Sequence, residues 1–378
     1  MIDRQAMQGN VADVIIVGGG IIGAACADEL ASHGLRVLVL DCQRPAATAA
    51  GMGHLVVLDH SPAELALGEY SVRAWRELAP QLPDDCAMRN NGTLWLACNE
   101  EEMAEAERKH LALNAYGLTC ELMSGAELAA VEPSLRSGLS GALRVKGDGI
   151  LYAPNAARWL LQRRPEQVRQ QRAEVVEVQG HRVRLKTGEW LHATAVVLAN
   201  GIYARDLCAD LPLQAKKGHL LITDRYPAQI THTLVELGYV TSAHKGNGPS
   251  VAFNVQQRPT GQLFVGSSRQ FDNHDPEVDA AMLGRMLRRA IEFLPDLGQM
   301  NGIRSWTGFR SASPDGQPLI GEHPEQPGLW LAVGHEGLGV TTATGTAKLL
   351  AAQLLRTTPP LDLDAFLPQR FIGTHAHA

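Results

Sequence analysis

The stretch ADVIIVGGGIIGAACADELASHGLRVLVLD, Ala12 to Asp41, decides the fold. Val14 to Val17 is a short β-branched run and predicts a buried parallel strand. Gly18, Gly20 and Gly23 follow as G-x-G-x-x-G, helix-compatible residues continue to about His33, and Gly34 ends them. Val37 to Leu40 predicts a second strand, closed by Asp41. In such a unit the first glycine permits the tight turn, the second lets a pyrophosphate approach the backbone, and the third lets the helix pack on the strand. The helix start presents free N–H groups and a positive dipole end to phosphate. An acid 18 residues past Gly23 can accept hydrogen bonds from ribose hydroxyls. The glycines alone are a weak signal. With the strand before, the helix after and the acid in place, the segment predicts a dinucleotide-binding α/β unit. It does not separate NAD from FAD.

Composition bounds the rest. A chain of 378 residues suggests two domains, and 45% apolar with 20% charged residues is ordinary for a globular protein. The formal net charge is −6 and no basic run stands out, so nucleic acid is not an implied partner. The six cysteines (Cys26, Cys42, Cys86, Cys98, Cys120, Cys208) form no C-x-x-C pair, and no His/Cys cluster has zinc-ligand spacing. Scattered thiols fit a reducing compartment. The first ten residues lack the apolar core of a signal peptide, and no apolar run approaches a membrane span. These readings predict a cytoplasmic protein without a metal, reaching a membrane only through partners.

Three further segments favour FAD. In ATAAGMGHLV, small residues let the backbone run against a flat ligand. The segment Glu174 to Gly201 predicts strands, the last being a buried one at Ala195 to Leu198, and then an Asn200-Gly201 turn. LWLAVGHEGLGVTTATGTAKLLAAQLL, Leu329 to Leu355, predicts a strand, a glycine-rich turn and a helix. Free N–H groups at that helix start would stabilise negative charge on a reduced flavin.

This set, in this order and over nearly the whole chain, resembles the D-amino-acid oxidase family of flavoproteins, the group with glycine oxidase and sarcosine oxidase. GMGHLVV and GHEGLGVTT are most similar to its bacterial D-proline and D-hydroxyproline dehydrogenases. The resemblance implies a Rossmann-like FAD-binding domain built from separated stretches, with a second, sheet-rich substrate domain. Carried over to this chain, Ile21 and Ile22 meet the pyrophosphate, and Asp41 and Cys42 flank the adenosine ribose. Thr48, Ala50, Gly51 and Met52 run along the phosphates and flavin ring. Val175 pairs with adenine through its backbone, Gly201 closes the turn after the buried strand, and Glu336, Gly337, Leu338, Gly339, Val340, Thr341 and Thr342 lie under the flavin pyrimidine edge. No cysteine stands at a covalent flavin position, so FAD is expected to be non-covalent.

The stretch GFRSASPDGQPLIG, Gly308 to Gly321, resembles the family segment whose arginine grips the substrate carboxylate. A planar guanidinium binds both carboxylate oxygens and keeps its charge when buried. On composition alone Arg310 would be a surface residue; within this family it takes the carboxylate. Some members place a second arginine where this chain has Gly337, after Glu336. A second positive charge is therefore expected to be absent, which disfavours dianionic substrates. His54 follows Gly53 and is a loosely held catalytic candidate, whereas His335 is expected to be structural.

Residues 1–84, 146–212 and 307–378 are expected to form the FAD domain, and 85–145 and 213–306 the substrate domain. Ser61 to Leu82 predicts a helix with a Ser61/Glu64 capping box. The charges at Glu100 to Glu107 read as a solvated helix face, and Pro276 to Leu294 predicts another helix. Tyr239, Asn254 and Gln256 are candidates for pocket lining, and the THAHA tail is expected to be disordered. The resemblance implies hydride transfer from the α-carbon of a small D-amino or imino acid to the flavin, giving an imine. Glycine or sarcosine oxidation, electron transfer to oxygen, quinone or an iron–sulfur partner within a homo- or hetero-oligomer, and a non-catalytic nucleotide-binding subunit remain as alternatives.

Overall fold

The computed structural model describes residues 11–57, 61–238, 248–271 and 273–372. Tyr239 and the THAHA tail lie outside them. The first unit reads β1 (Val14–Val17), α1 (Ile21–Ser32), β2 (Val37–Asp41), as the glycine motif predicts. Then come α2 (Ala47–Ala50), β3 (His54–Leu55) and α3 (Pro62–Leu78), where Ser61 Oγ accepts the Glu64 N–H at 3.1 Å. β4 (Thr93–Ala97), α4 (Glu100–Ala115), β5 (Cys120–Ser124), α5 (Gly125–Val131) and β6 (Gly141–Val145) follow. The chain returns through β7 (Gly149–Ile150), α6 (Ala153–Gln162) and β8 (Val168–Arg172). Next are β9 (Val175–Gln179), β10 (Arg182–Leu185), β11 (Trp190–His192) and β12 (Ala195–Leu198). Then it crosses again into β13 (Gln214–Arg225), β14 (Thr233–Glu236), β15 (Ser250–Gln257), β16 (Gln262–Phe271), α7 (Ala280–Phe293) and β17 (Gly302–Ala312). It ends in β18 (Leu319–Glu322), β19 (Leu329–Val333) and α8 (Gly339–Leu355). α7 starts at Ala280 and not at Pro276, because the Asp279 side chain accepts the N–H groups of Ala281 and Met282 and fixes the helix start there.

Two large sheets result. One has six strands in the order β18-β19-β12-β1-β2-β8, parallel except for the antiparallel edge strand β18. β1, β2 and β12 have both faces covered, which explains their continuous apolar sequence. α1 is apolar almost all round because it lies between this sheet, α6 and α8. The other sheet has eight strands, β17-β13-β16-β15-β14-β4-β6-β5, mostly antiparallel. The protein is therefore mixed α/β, with a Rossmann-like sheet and a second, sheet-rich layer. The expected boundary between residues 306 and 307 falls inside β17, which pairs with β13 along its length. Among the described residues no helix is long and apolar enough to cross a membrane.

Candidate active site

At the end of β1 the chain turns at Gly18, whose φ is +107°. A Cβ there would stand 2.7 Å from the Ala199 carbonyl oxygen, and one at Gly23 would stand 1.9 Å from that of Gly18. Only glycines let the turn tuck beneath the start of α1. The Ile21 N–H donates to Thr48 Oγ1 at 3.0 Å, which ties this turn to α2. Asp41, the last residue of β2, accepts the Gly19 and Gln43 N–H groups, so its carboxylate is fixed at the mouth of the turn.

From here a cavity of about 880 Å³ runs between the two sheets. Gly18, Gly20, Ile21, Ile22, Asp41, Cys42, Thr48, Ala50, Gly51, Met52, Val175 and Gly201 line it, as do Glu336 through Val340, His54 and Arg310. Of the expected site residues, Gly23, Thr341 and Thr342 do not line it. Gly23 serves the helix packing described above. Thr341 Oγ1 donates to the His54 carbonyl at 3.0 Å and accepts the Val56 N–H at 3.1 Å, and Thr342 Oγ1 donates to the Leu338 carbonyl. Both side chains are buried, clamping β3 and the helix start rather than facing the cavity.

At the Asp41 end, Arg44 lies across the Tyr203 ring, 5.2 Å from its centroid, and pairs with Glu174 at 2.8 Å and Asp206 at 3.2 Å. All four residues line the cavity. They come from three separate segments, so nothing local in the sequence announced the group.

The other end is built by alternation on three adjacent strands. Lys216 and Gly218 on β13, Gly308 and Arg310 on β17, and Ser267, Arg269 and Phe271 on β16 all line the cavity. Lys216 stands opposite Arg310 on one side and Phe271 on the other. Arg310 Nη1 donates to the Ser268 carbonyl at 3.2 Å, the one hydrogen bond of this side chain among the described residues. Its guanidinium lies so close over Gly218 that a Cβ there would be 2.9 Å from Nη1. Gly308 plays the same part for α2: a Cβ would sit 2.3 Å from that of Ala50. The Trp306 indole N–H donates to the Ala50 carbonyl at 3.2 Å and fixes the same seam.

Glu336 sits in the left-handed region, φ +45°, with Oε1 3.0 Å from Lys216 Nζ and 3.3 Å from Arg269 Nη2. Burial opposes its charge, but Lys216, Arg269 and Arg310 outweigh that and hold its carboxyl below the usual range. The expectation that a second positive charge is absent is thus corrected. Arginine is missing at position 337, yet β13 and β16 deliver Lys216 and Arg269 from over 65 residues away in sequence.

Burial pushes His54 down to about 4 and His335 down to about 3, so both imidazoles are neutral near pH 7. His335 Nε2 lies 3.0 Å from Thr346 Oγ1, and the residue also lines the cavity. Gln256 stands beside His54 and favours its charged form, but burial outweighs it. Asn254 also lines the cavity with its side-chain carbonyl unpartnered, whereas Gln256 donates to the Met52 carbonyl and does not line it. Cys208, Asp210 and His323 do approach one another, within 4.8 Å, but none lines the cavity. His323 Nδ1 accepts the Glu325 N–H, which leaves its Nε2–H to donate to Asp210.

The residues present fit a flavin dinucleotide. The glycine turn forms a cradle that any Cβ would fill, and the buried Asn200 side-chain carbonyl on the cavity wall lacks a partner among the described residues. A family model described as FAD dependent oxidoreductase (DAO) matches residues 13–353. Glycine oxidase from Geobacillus kaustophilus (strain HTA426) is 29% identical, over 96% of this chain and 97% of its own. An opine oxidase subunit from Rhizobium meliloti is 26% identical, over 96% of this chain and 99% of its own. Among solved structures, glycine oxidase from Geobacillus kaustophilus superposes with a TM-score of 0.86 at 28% identity, covering 96% of this chain and 99% of that one. The glycine cradle, the cavity between two sheets and these likenesses agree: the chain belongs to the DAO family of FAD-dependent oxidoreductases that oxidise amino acids.

Proposed function

We propose that this enzyme oxidises a small D-amino or imino acid at its α-carbon, D-proline and D-hydroxyproline being the substrates nearest its resemblance, and that Arg310 holds the substrate carboxylate. The observation that carries this reading is the Arg310 side chain itself. It lines the cavity, donates one N–H to Ser268 and keeps the rest of its planar fork open. A carboxylate set in that fork has its α-carbon fixed in direction, and bidentate charge-assisted bonds are the strong kind. Gly18, Gly20, Ile21, Asp41 and Thr48 would hold the dinucleotide, and the turn from Gly337 into the start of α8 at Gly339 would face its redox-active ring. Bound FAD supplies the two-electron acceptor. The protein supplies position: Arg310 orients the acid, and Trp306 and Gly308 lock α2 against the substrate sheet. The neutral His54 offers a hydrogen-bonding group to an amine that arrives deprotonated, the form from which the α-hydrogen can leave as hydride. The six described free cysteines support a cytoplasmic setting.

A second reading concerns the electron acceptor. Some relatives are named as subunits, of an opine oxidase and, as HcnC, of a hydrogen cyanide synthase, and they are matched over nearly their whole length. This supports a dehydrogenase component that passes electrons to a partner. Oxygen uptake compared with dye reduction by the same sample separates the two.

The test is anaerobic bleaching of the purified yellow protein by a panel of D-amino and imino acids. The flavin should stay in the supernatant after acid precipitation, as a non-covalent cofactor does. Arg310→Ala should keep its FAD and lose on the order of 2–5 kcal/mol of transition-state stabilisation toward free acids. If it oxidises free acids like the parent, Arg310 is not the clamp; if it loses FAD, the arginine serves the cofactor instead.

A further inference from the structure

Across the eight-stranded sheet, one row of cross-strand partners passes over the cavity. Trp95 stands opposite Val235, Val235 opposite Asn254, and Asn254 opposite Gly266. Gly266 leaves room for its neighbours to close over it: a Cβ there would stand 2.8 Å from Leu220 Cδ2 and 3.0 Å from Met52 Sδ. Trp95, Val235, Asn254, Leu220 and Met52 all line the cavity. This wall is apolar but for Asn254. Trp95 and Val235 are only 7% and 4% exposed, so the wall is dry. Asn254 Oδ1 is buried and lacks a partner among the described residues, and a buried amide left unbonded is costly. The neighbouring polar side chain is engaged: Gln256 donates to the Met52 carbonyl and stands beside His54.

Arg310 lies about one small molecule away from this amide. Its Nη1 donates to the carbonyl of Ser268, which is two residues along β16 from Gly266, and β15 is the neighbouring strand. Two residues of strand span about 7 Å and adjacent strands lie about 4.8 Å apart, so on the order of 8 Å separates the arginine's anchor from Asn254. An amino acid held by its carboxylate covers that gap when its side chain or ring carries a polar atom two or three bonds beyond the α-carbon. We infer that the Trp95–Val235–Asn254 row is the side-chain pocket, that Asn254 binds a substrate hydroxyl there, and that the enzyme prefers a hydroxylated amino or imino acid to its deoxy counterpart. This rests on the reading of Arg310 as the α-carboxylate clamp. A hydroxyl both donates and accepts, so it answers either end of the amide. The substrate amine fits less well, since its lone pair must stay free to form the imine. A second charge fits less well again, because the walls beside the amide are apolar. A deoxy substrate would fill the same space and leave the amide unanswered, which is how a hydrogen-bonding site rejects an analogue.

The test uses FAD-loaded enzyme and matched pairs that differ by one hydroxyl: D-hydroxyproline against D-proline, D-serine against D-alanine, D-homoserine against its deoxy analogue. Anaerobic flavin reduction gives the rate and apparent affinity for each. At least one hydroxylated member should exceed its partner tenfold or more in the ratio of rate to affinity constant. Asn254→Leu, or Asn254→Ala should the first fold poorly, should bring that preference close to one, whereas Arg310→Lys should weaken both members of the pair. Deoxy substrates equal or better in every pair, or a preference untouched in a folded, FAD-loaded variant, would overturn the inference and leave the amino-acid reading standing. Perturbation of the flavin spectrum by β- and γ-hydroxybutyrate against butyrate, and by β-hydroxypropionate against propionate, reads the same pocket without turnover. Tighter binding of the hydroxy acids, with no amino acid able to reduce the flavin, would sink the amino-acid reading yet uphold the hydroxyl pocket. Equal binding of both series, with no reduction, would sink both.

Discussion

Gly218→Ala separates the position of Arg310 from its presence. A Cβ at residue 218 would stand 2.9 Å from Nη1, 3.0 Å from Nη2 and 3.1 Å from Cζ of Arg310. Non-bonded carbon contacts settle near 3.5–4.0 Å, so the guanidinium must retreat by on the order of 0.5–1 Å. A reacting group displaced by about 1 Å loses roughly 100-fold in rate, or about 2.7 kcal/mol. Stability should move the other way. Gly218 lies within β13 with no left-handed φ, and alanine in such a place is favoured by roughly 0.5–1 kcal/mol over glycine. The expected variant is thus as stable as its parent or slightly more so, loaded with FAD, and about 100-fold poorer in kcat/KM. Stopped-flow reduction with saturating and limiting substrate gives the rate, a thermal melt gives the stability, and the visible spectrum gives the flavin content. A kcat/KM within threefold of the parent would refute the claim that this guanidinium must lie flat on β13. A loss that tracks missing flavin would place the damage elsewhere.

Gly337→Asp should act through the same arginine. A Cβ at 337 would stand 3.9 Å from Arg310 Nε, so the new carboxylate can occupy the fork and mimic substrate. Substrate affinity should fall at least tenfold with FAD retained; unchanged affinity in a titration of flavin bleaching would contradict this. Asp148 is buried and its carboxyl is pushed up to about 7, chiefly by burial, with the Val57 N–H as a weak donor at 3.3 Å. Its folded pKa exceeds the unfolded one, so its contribution favours the fold at acid pH and is lost as pH rises from about 4 to 7, on the order of 4 kcal/mol in all. Asp148→Asn should therefore gain stability over the parent at pH 8 but not at pH 4, as read from urea midpoints; a pH-independent difference would exclude this group as the cause.

The parts of this fold that could be read from the chain are those whose physics is local. Gly18, Gly20 and Gly23 serve one turn, and Val14 to Val17 is buried on both faces, so both announce themselves within ten residues. Ser61 likewise signals a helix start by its own hydroxyl. Arg310 could be singled out only by resemblance, since its own neighbourhood looks like an exposed turn. Lys216 and Arg269 could not be found at all, because strand register alone sets them beside Arg310, and register depends on bulges in β13 and β16. Thr341, which the resemblance sets under the flavin edge, uses its hydroxyl to bond the His54 carbonyl and the Val56 N–H, a long-range contact that the sequence does not announce.

The strand order of the six-stranded sheet has a consequence for biosynthesis. β12 lies between β1 and β19, yet β19 lies near the far end of the chain. When β12 leaves the ribosome, one edge of it stays unpaired until Leu329 to Val333 emerges, about 130 residues later. At roughly 5–20 residues per second, that is on the order of 7–26 s of translation. For that time the nascent chain carries the open strand edge of Ala195 to Leu198, all four residues apolar. The dinucleotide unit thus cannot complete itself in the order in which it is made.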